Sequence, residues 1–194
     1  MISRSKAIQA LRRSIEESPD TEVMWKTIWD FDLNRSNVQK NDRALALLFG
    51  AFLEQALEIG ILSHCITIAQ DEQQKLFGAP QEASVSFDIK IRLGFALGLY
   101  GPDSRDDLTC IRHVRNTFAY AKSDVEFASK TISDVCNQIK YIDKMKWNGI
   151  MGEKPTTSRR KFIETVRHYF AFLATAENGK PLMYTTYQLP DLYG

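Results

Sequence analysis

The sequence predicts an all-α protein, an antiparallel helical bundle with extra helices at its N- and C-terminal ends. Apolar residues recur at helical spacing along most of the chain, and no segment shows the alternation typical of a strand. Asn, Asp or Ser precedes several apolar runs, and Gly or Pro follows them, as at helix ends. No internal repeat or low-complexity tract interrupts this pattern. We therefore expect one compact helical domain.

Composition and charge limit the class of protein. The chain has 194 residues, of which 44% are hydrophobic and 25% charged, as in ordinary globular proteins. This length can enclose a core without disulfides or structural metals. The net charge of +1 gives no overall field that would hold nucleic acid or an anionic membrane. Any nucleic-acid contact would therefore need a local patch.

The first elements are amphipathic helices. An opening helix ends near Pro19, and "TEVMWKTIWDF" predicts a second short helix with aromatic anchors at Trp25 and Trp29. Asn41 or Asp42 is expected to cap a long helix that runs to about residue 66. Because "RALALLFGAFLEQALEIGIL" is apolar almost all round, we expect this helix to be central.

The remaining elements follow from loop and cap signals. "QKLFGAP" predicts a loop, and Ser84 or Ser86 begins the next helix, which "YGPDS" ends. Asp103 or Ser104 is predicted to cap the helix that contains "IRHVRNTFAY". The last predicted elements are a helix over 125–141 capped by Ser123 or Asp124, a linker "WNGIMGEKPTTS", a helix over 159–176 and an extended aromatic tail.

Charged residues interrupt three apolar faces. Glu54 lies in the long central helix, Lys90 lies between apolar neighbours, and Arg115 falls within the stripe of Leu108, Ile111, Val114, Phe118 and Ala119. A buried guanidinium needs a carboxylate or carbonyl partner, because it cannot lose its proton. Glu54, Glu58 and Asp42 are the candidates for Arg115. From the spacing alone, Arg115 is either a structural ion pair or part of a functional site.

Three polar residues line the face that adjoins this stripe. His113, Asn116 and Tyr120 follow one another at i, i+3 and i+7. They lie beside Arg115 on the same helix. A phenol with a pKa near 10 is a poor base at neutral pH, although it can donate a hydrogen bond.

Several ordered motifs lie between about residues 40 and 140. They are Asp42-Arg43, Leu76-Phe77-Gly78, Ser86-Phe87 with Lys90-Ile91, Gly98-Leu99, and Arg115-Asn116-Thr117-Phe118-Ala119-Tyr120. Together these motifs resemble those of the mannitol operon repressor (MltR) family. The resemblance implies an all-helical regulator without a recognisable DNA-binding motif, which acts through protein partners. From the apolar pattern and these motifs together, we expect Asp42, Arg43, Glu54, Lys90 and Arg115 to form a polar core that is structural or functional.

The signature around Arg115 also resembles the Arg-Asn-x-x-x-His motif of HEPN domains, helical dimers that include metal-independent ribonucleases and toxins. That resemblance implies an arginine that stabilises phosphate charge and a histidine that transfers protons. Here Tyr120 replaces the histidine, and His113 lies two helical turns away. The catalytic or binding candidates that the resemblance implies are therefore Arg115, Asn116, Tyr120 and His113. The replacement argues against acid–base RNA cleavage, while RNA binding remains an alternative.

Other titratable residues show no ligand spacing. Cys65, Cys110 and Cys136 are far apart and are expected to be reduced core thiols of a cytoplasmic protein. His64 and His168 are isolated and are expected to be structural. The sequence Arg159-Arg160-Lys161 opens a helix, where it is either solvated or part of a patch for phosphate or an acidic partner.

The sequence predicts three segments: an N-terminal helical extension over 1–36, an MltR-like core over 37–145, and a linker, helix and tail over 146–194. The expected function is non-catalytic regulation through a protein partner, without a cofactor, a metal or a membrane span. The alternative is a HEPN-type RNA-binding protein or ribonuclease, such as a toxin or phage-defence component, that uses Arg115 and Asn116. The aromatic residues Trp25, Trp29, Tyr184, Tyr187 and Tyr193 either close the monomer or form the interface of a homodimer.

Overall fold

A computed structural model describes residues 21–29, 41–65, 69–77, 85–147, 153–174, 176–177 and 180–181. These residues form eight helices and one antiparallel pair of two-residue strands. The elements in chain order are α1 (Thr21–Trp29), α2 (Asp42–Ser63), α3 (Gln70–Phe77), α4 (Phe87–Ala96), α5 (Pro102–Tyr120), α6 (Lys130–Cys136), α7 (Tyr141–Lys144), α8 (Ser158–Ala174), β1 (Ala176–Glu177) and β2 (Lys180–Pro181). The predicted all-α class is confirmed. The opening helix and the tail tyrosines lie outside the described residues.

Helix α2 is the centre of the fold. The Asn41 side chain caps it by accepting a hydrogen bond of 3.0 Å from Ala44 N. Its apolar residues contact α4, α5 and α8, and side chains such as Phe49, Leu53 and Leu57 are fully buried. The prediction of a central helix packed on several sides is confirmed by these contacts.

Contacts at both ends of α5 give its direction relative to α2 and α4. The start of α2 meets the end of α5, because Arg43 reaches Ala121, the residue that caps α5. The Asp88 carboxylate at the start of α4 lies 3.2 Å from Arg112, whereas Phe95 near its end lies under the guanidinium of Arg105. Helix α5 therefore runs opposite to both α2 and α4.

Helix α8 runs in the same direction as α2. Their N-terminal ends meet where Asp42 lies 3.2 Å from Arg159, and their C-terminal ends meet where Gly60 faces Leu173. The antiparallel arrangement is predicted for the core over 37–145, where α5 runs opposite to α2 and α4. Helix α8 lies outside that range and runs parallel to α2. We attribute the parallel direction of α8 to the long connection before it, which returns the chain to the N-terminal end of α2.

Helix α1 packs on α8 through aromatic side chains. Trp25 contacts the Phe170 ring edge-on at 5.3 Å and stacks on Trp29 at 6.0 Å. Arg167 Nε donates a hydrogen bond of 3.0 Å to the carbonyl oxygen of Ile28, near the end of α1. Trp25 therefore helps to close the hydrophobic surface of the monomer, while Trp29 is partly exposed.

Three predicted boundaries are wrong. Helix α5 begins at Pro102 with Gly101 as its N-cap residue, so neither Asp103 nor Ser104 caps it. The segment read as the loop "QKLFGAP" is helical as far as Phe77, because the loop signals at residues 78–80 were extended too far back. The helix predicted over 125–141 is two short helices, α6 and α7, and residues 121–129 are not helical. Side chains of α2 bind the backbone of residues 121–129. These tertiary contacts explain why the segment is not helical.

Helix α2 has the length and apolar composition of a membrane-spanning helix, and 56% of that stretch is buried in the protein. The core helix of a globular protein has the same composition, so one such helix is weak evidence for a span. The three cysteines are free thiols. Cys136 is buried, but Cys65 is exposed at the end of α2, so the prediction that all three lie in the core is wrong for Cys65.

Candidate functional site

Arg115 lies against the central helix at a position where α2 has no side chain. The apolar stripe of α5 is buried at Leu108, Ile111, Val114 and Phe118, as its spacing predicts. Ala119, which the predicted stripe included, is exposed. Arg115 packs its aliphatic stem on Gly50, where an added Cβ would lie 2.6 Å from Arg115 Cγ. A larger residue at position 50 would displace the arginine. Gly50 therefore sets how closely the Arg115 side chain approaches α2.

The guanidinium of Arg115 is only partly satisfied. Its Nη1 donates a hydrogen bond of 2.9 Å to Asn116 Oδ1, and its Nη2 lies 3.9 Å from Glu54 Oε2, beyond hydrogen-bond distance. Its Nε is buried and has no hydrogen-bond partner among the described residues. The side chain is 29% exposed. Arg115 is therefore a half-buried cation with unused donor capacity.

Lys90 is the main partner of the two glutamates. It is buried, its Nζ donates a hydrogen bond of 3.1 Å to Glu58 Oε2, and it lies 3.6 Å from Glu54 Oε1. Burial raises the pKa of Glu58, although Lys90 opposes that shift. The predicted partial burial of Glu54 and Lys90 is confirmed. Glu54, Glu58, Lys90 and Arg115 form one network across α2, α4 and α5, and their formal charges cancel.

Asp42 and Arg43 lie at the other end of α2 and organise the backbone that follows α5. Arg43 Nη2 donates a hydrogen bond of 2.6 Å to the carbonyl oxygen of Ala121, and Asp42 Oδ2 accepts one of 2.8 Å from Phe127 N. Asp42 also lies 3.2 Å from Arg159 Nε, so one member of the basic run at the start of α8 has a carboxylate partner. Asp42 is therefore not a partner of Arg115.

His113 and Tyr120 are not assembled with Arg115 into a catalytic arrangement. Tyr120 is the last residue of α5, is 78% exposed and makes no hydrogen bond with the described residues. His113 is exposed as well, and its Nε2 lies 3.3 Å from Arg112 Nη2. Of the predicted site residues on α5, only Arg115 and Asn116 are in direct contact.

The first half of α5 contains a polar centre that was not predicted. The buried carboxylate of Asp107 accepts hydrogen bonds from Lys140 N at 2.8 Å, Tyr141 N at 2.9 Å and Tyr169 Oη at 3.1 Å. Burial raises the pKa of Asp107 to about 6, although these three donors oppose the shift. Asp107 lies four residues before Ile111, on the same apolar stripe, so the spacing contained a signal for it.

Asp103, one turn before Asp107, carries an exposed ion-pair cluster. It contacts the ammonium groups of Lys140 and Lys144. The hydrogen bonds from Lys140 and then Lys144 lower the pKa of Asp103 to about 2. These contacts tie the start of α5 to α7. Across the described ranges, no group of three or more His, Cys, Asp and Glu side chains is arranged to hold a metal ion.

Helix α4 exposes large apolar side chains. Ile89, Leu93 and Leu97 have exposed fractions between 37% and 47%, and Phe95 is exposed to a similar degree. Ile89 and Leu93 lie four residues apart, and Leu97, the residue that caps α4, follows at the same spacing. The side chains that face the core are Phe87, Lys90 and Ile91. This helix therefore presents an apolar stripe to solvent, which its sequence pattern did not lead us to expect.

Comparison of the chain with protein-family models, with curated proteins and with solved structures finds no match.

Proposed function

We propose that this protein is a non-catalytic regulatory or adaptor protein, similar to the mannitol operon repressor class, which acts by binding another protein. The observation that carries the proposal is the separation of Arg115 from Tyr120 and His113, the two candidate proton-transfer residues on α5. Arg115 contacts Asn116 and Glu54, while Tyr120 projects into solvent at the end of α5. General acid–base catalysis requires a positioned group within hydrogen-bond reach of the reacting atoms.

The charges around Arg115 give further support. A site that stabilises a phosphodiester transition state needs an excess of positive charge. Glu54 lies 3.9 Å from Arg115 and Glu58 lies 3.1 Å from Lys90, so each cation has an anionic neighbour. An entering phosphate would meet these carboxylates, which repel it. The network is better suited to fixing α2, α4 and α5 together than to binding an anion.

The exposed apolar residues of α4 support the second half of the proposal. Interfaces with protein partners bury large apolar and aromatic side chains at their centre. Among the described residues, four of the exposed large hydrophobic side chains belong to α4 and its cap. We infer that the regulatory activity uses such a surface and not a catalytic cleft.

The alternative is a HEPN-type RNA-binding protein or ribonuclease. One observation favours it: Arg115 Nε has no hydrogen-bond partner among the described residues, and the side chain is partly accessible. An anionic oxygen could accept a hydrogen bond from that donor only after the side chain moved, because Nε itself is buried. This interpretation requires Glu54 to move or to be neutralised.

A cleavage assay separates the two proposals. Total RNA is incubated without metal ions with the wild-type protein, Arg115→Ala and Tyr120→His, after circular dichroism has shown that each is folded. We expect no cleavage by any of the three. Cleavage by the wild type that Arg115→Ala abolishes would reverse the ranking. Cleavage gained by Tyr120→His, with a rate that changes near pH 6.5, would identify an inactivated nuclease.

We also propose that the protein forms a homodimer, by analogy with HEPN domains. Trp29 is the exposed part of the aromatic segment that would contribute to the interface, whereas Trp25 is already packed on Phe170. Light scattering at tens of micromolar is expected to give the mass of two chains. The mass of a single chain at that concentration would contradict the proposal.

A further inference from the structure

The exposed stripe of α4 has the dimensions of a helix-binding surface. Ile89, Leu93 and Leu97 are spaced four residues apart, and we call this set the α4 face. Eight residues of helix rise by about 12 Å, which is two turns. A partner helix recognised in this way places apolar anchors at i, i+3 or i+4, and i+7 along one side. Three aliphatic side chains over two turns match that spacing.

The flank of the α4 face that lies towards α5 carries positive charge. Asp88 Oδ2 accepts a hydrogen bond of 2.9 Å from Arg92 Nε, and Asp88 Oδ1 lies 3.2 Å from Arg112 Nη2. One carboxylate is therefore shared by two guanidinium groups, which leaves a net charge of +1 on the three residues. Arg92 is largely exposed. Because a guanidinium has five N–H donors, Arg92 retains donors that a partner carboxylate can reach.

Among the described residues, the opposite flank carries a charge-balanced group. On a helical wheel, Lys90 lies on the side of Leu93 away from Arg92, and it is buried against Glu58. Glu54 and Glu58 are partly exposed, but Lys90 and Arg115 balance their charges. The net positive charge beside the stripe is thus that of Arg92 and Arg112 around Asp88. An aliphatic row with one guanidinium beside it selects for an apolar row with a carboxylate beside it.

A second copy of the chain fits this surface poorly. A two-fold antiparallel pairing of α4 centred on Leu93 would place the Arg92 side chains of the two copies on the same flank. They would be two residues apart along the axis, a rise of about 3 Å. Like charges that lie on the same flank with so small an offset along the helix axis repel each other across a partly desolvated interface. The charge pattern therefore favours a different chain that supplies carboxylates.

We propose that the α4 face binds an amphipathic helix of a partner protein, through aliphatic residues three to four positions apart and a Glu or Asp that pairs with Arg92. This inference rests on the proposed function, in which the protein acts by binding another protein, and it specifies the surface and the chemistry of the partner.

Two synthetic peptides test the proposal. Both are roughly 18 residues long, enough to form a helix, and carry the same leucine stripe, flanked by Glu in one peptide and by Lys in the other. Fluorescence anisotropy with the full chain should show that the Glu peptide binds at least about tenfold more tightly. Arg92→Glu should reverse this preference. Leu93→Asp and Ile89→Asp should abolish binding, and each variant is checked for folding by circular dichroism.

Val23→Asp provides the matched control, because Val23 is an exposed aliphatic residue of α1, away from α4. It should bind the Glu peptide as the wild type does. The absence of binding by the wild type, a preference for the Lys peptide, or equal losses in Val23→Asp and Leu93→Asp would overturn the proposal. A dimer in light scattering that Leu93→Asp dissociates would instead assign the face to a second copy. RNA cleavage that depends on Arg115 would contradict the proposed function, and it is measured independently of peptide binding.

Discussion

Asp107 and Arg115 lie on the same face of α5, two turns apart, and the protein treats these two charges differently. Asp107 is buried and accepts three hydrogen bonds, from two backbone amides and one phenol. Arg115 is 29% exposed, donates one hydrogen bond to its neighbour Asn116 and has a buried Nε without a partner. Asp107 is therefore surrounded by hydrogen-bond donors, while Arg115 has N–H donors that no described residue accepts.

The difference indicates what each charge is for. A buried polar group that is fully hydrogen-bonded fixes the elements that supply its partners, here α7 and α8. A partly exposed cation beside a distant carboxylate fixes much less, and it can change partner at small cost. Structure therefore depends more on Asp107 than on Arg115, although Arg115 is the residue that the sequence motif emphasises.

The largest expected effect is the loss of Asp107. Asp107→Ala removes the acceptor for Lys140 N, Tyr141 N and the Tyr169 hydroxyl, and each buried unpaired donor costs about 1–3 kcal/mol. We expect the free energy of unfolding in urea to fall by about 3–5 kcal/mol. Asp106→Ala is the control, because its exposed ion pairs should contribute less than about 1 kcal/mol. Equal losses in both variants would remove the contrast on which the comparison rests.

The second largest effect should be the change with pH in the contribution of Asp107 to the free energy of unfolding. The pKa of Asp107 is about 6 in the folded protein and 3.8 as its ordinary value, so between these values the folded state holds a proton that the unfolded chain has released. Its contribution to the free energy of unfolding is therefore present at pH 4 and is lost as the pH rises through 6. Asn cannot titrate, so the destabilisation by Asp107→Asn should be larger at pH 4 than at pH 7, by about 2–3 kcal/mol.

Urea unfolding of the wild type and Asp107→Asn at a series of pH values measures this difference. Two other residues have shifted pKa values. Burial raises the pKa of Glu58, and the hydrogen bonds from Lys140 and Lys144 lower the pKa of Asp103. Both residues are present in the wild type and in Asp107→Asn. The contribution of Glu58 therefore cancels in the comparison. Asp103, whose charge helps to raise the pKa of Asp107, has a pKa of about 2 and stays ionised between pH 4 and pH 7. A destabilisation that is constant with pH, or that grows as the pH rises, would show that Asp107 does not titrate in this way.

The smallest effect should be the coupling of Arg115 to Glu54. The two groups are 3.9 Å apart and both are partly exposed, so a double-mutant cycle with alanine should give a coupling energy of about 0.5 kcal/mol or less. The cycle for Lys90 and Glu58 is the matched comparison, since Lys90 is buried and the contact is 3.1 Å. A larger coupling for Arg115 than for Lys90 would make Arg115 the structural centre of the network.

The main helices could be predicted because their signals are local. The apolar pattern of α2 and the caps at Asn41 and Ser86 act within a few residues, and the structure contains all three. The segment 121–129 could not be predicted in the same way. Its polar residues look like a cap, but Arg43 and Asp42 bind its backbone from about 80 residues away, and no local pattern contains that contact.

The sequence predicted which charged residues form the candidate site but not which of them pair with each other. Spacing brought Glu54, Lys90 and Arg115 together, since each interrupts an apolar face that points to the core. The spacing could not predict that Lys90 pairs with Glu58, because contact between side chains on two helices depends on the distance between the helices. Asp107 was missed because the motif around Arg115 drew the interpretation to the second half of α5, while Asp107 lies on the same stripe.

The clamp formed by Arg43 and Asp42 makes the end of α5 dependent on the order in which the chain assembles. The carbonyl of Ala121 and the amide of Phe127 find their partners 78 and 85 residues away in sequence. Closing loops of this length has an entropic cost that must be met before the contacts form, and distant contacts of this kind slow folding. In a growing chain, Asp42 and Arg43 are synthesised long before residues 121–127 exist. Water solvates both side chains until then, so the contacts that join the start of α2 to the end of α5 can form only after residues 121–127 have been made.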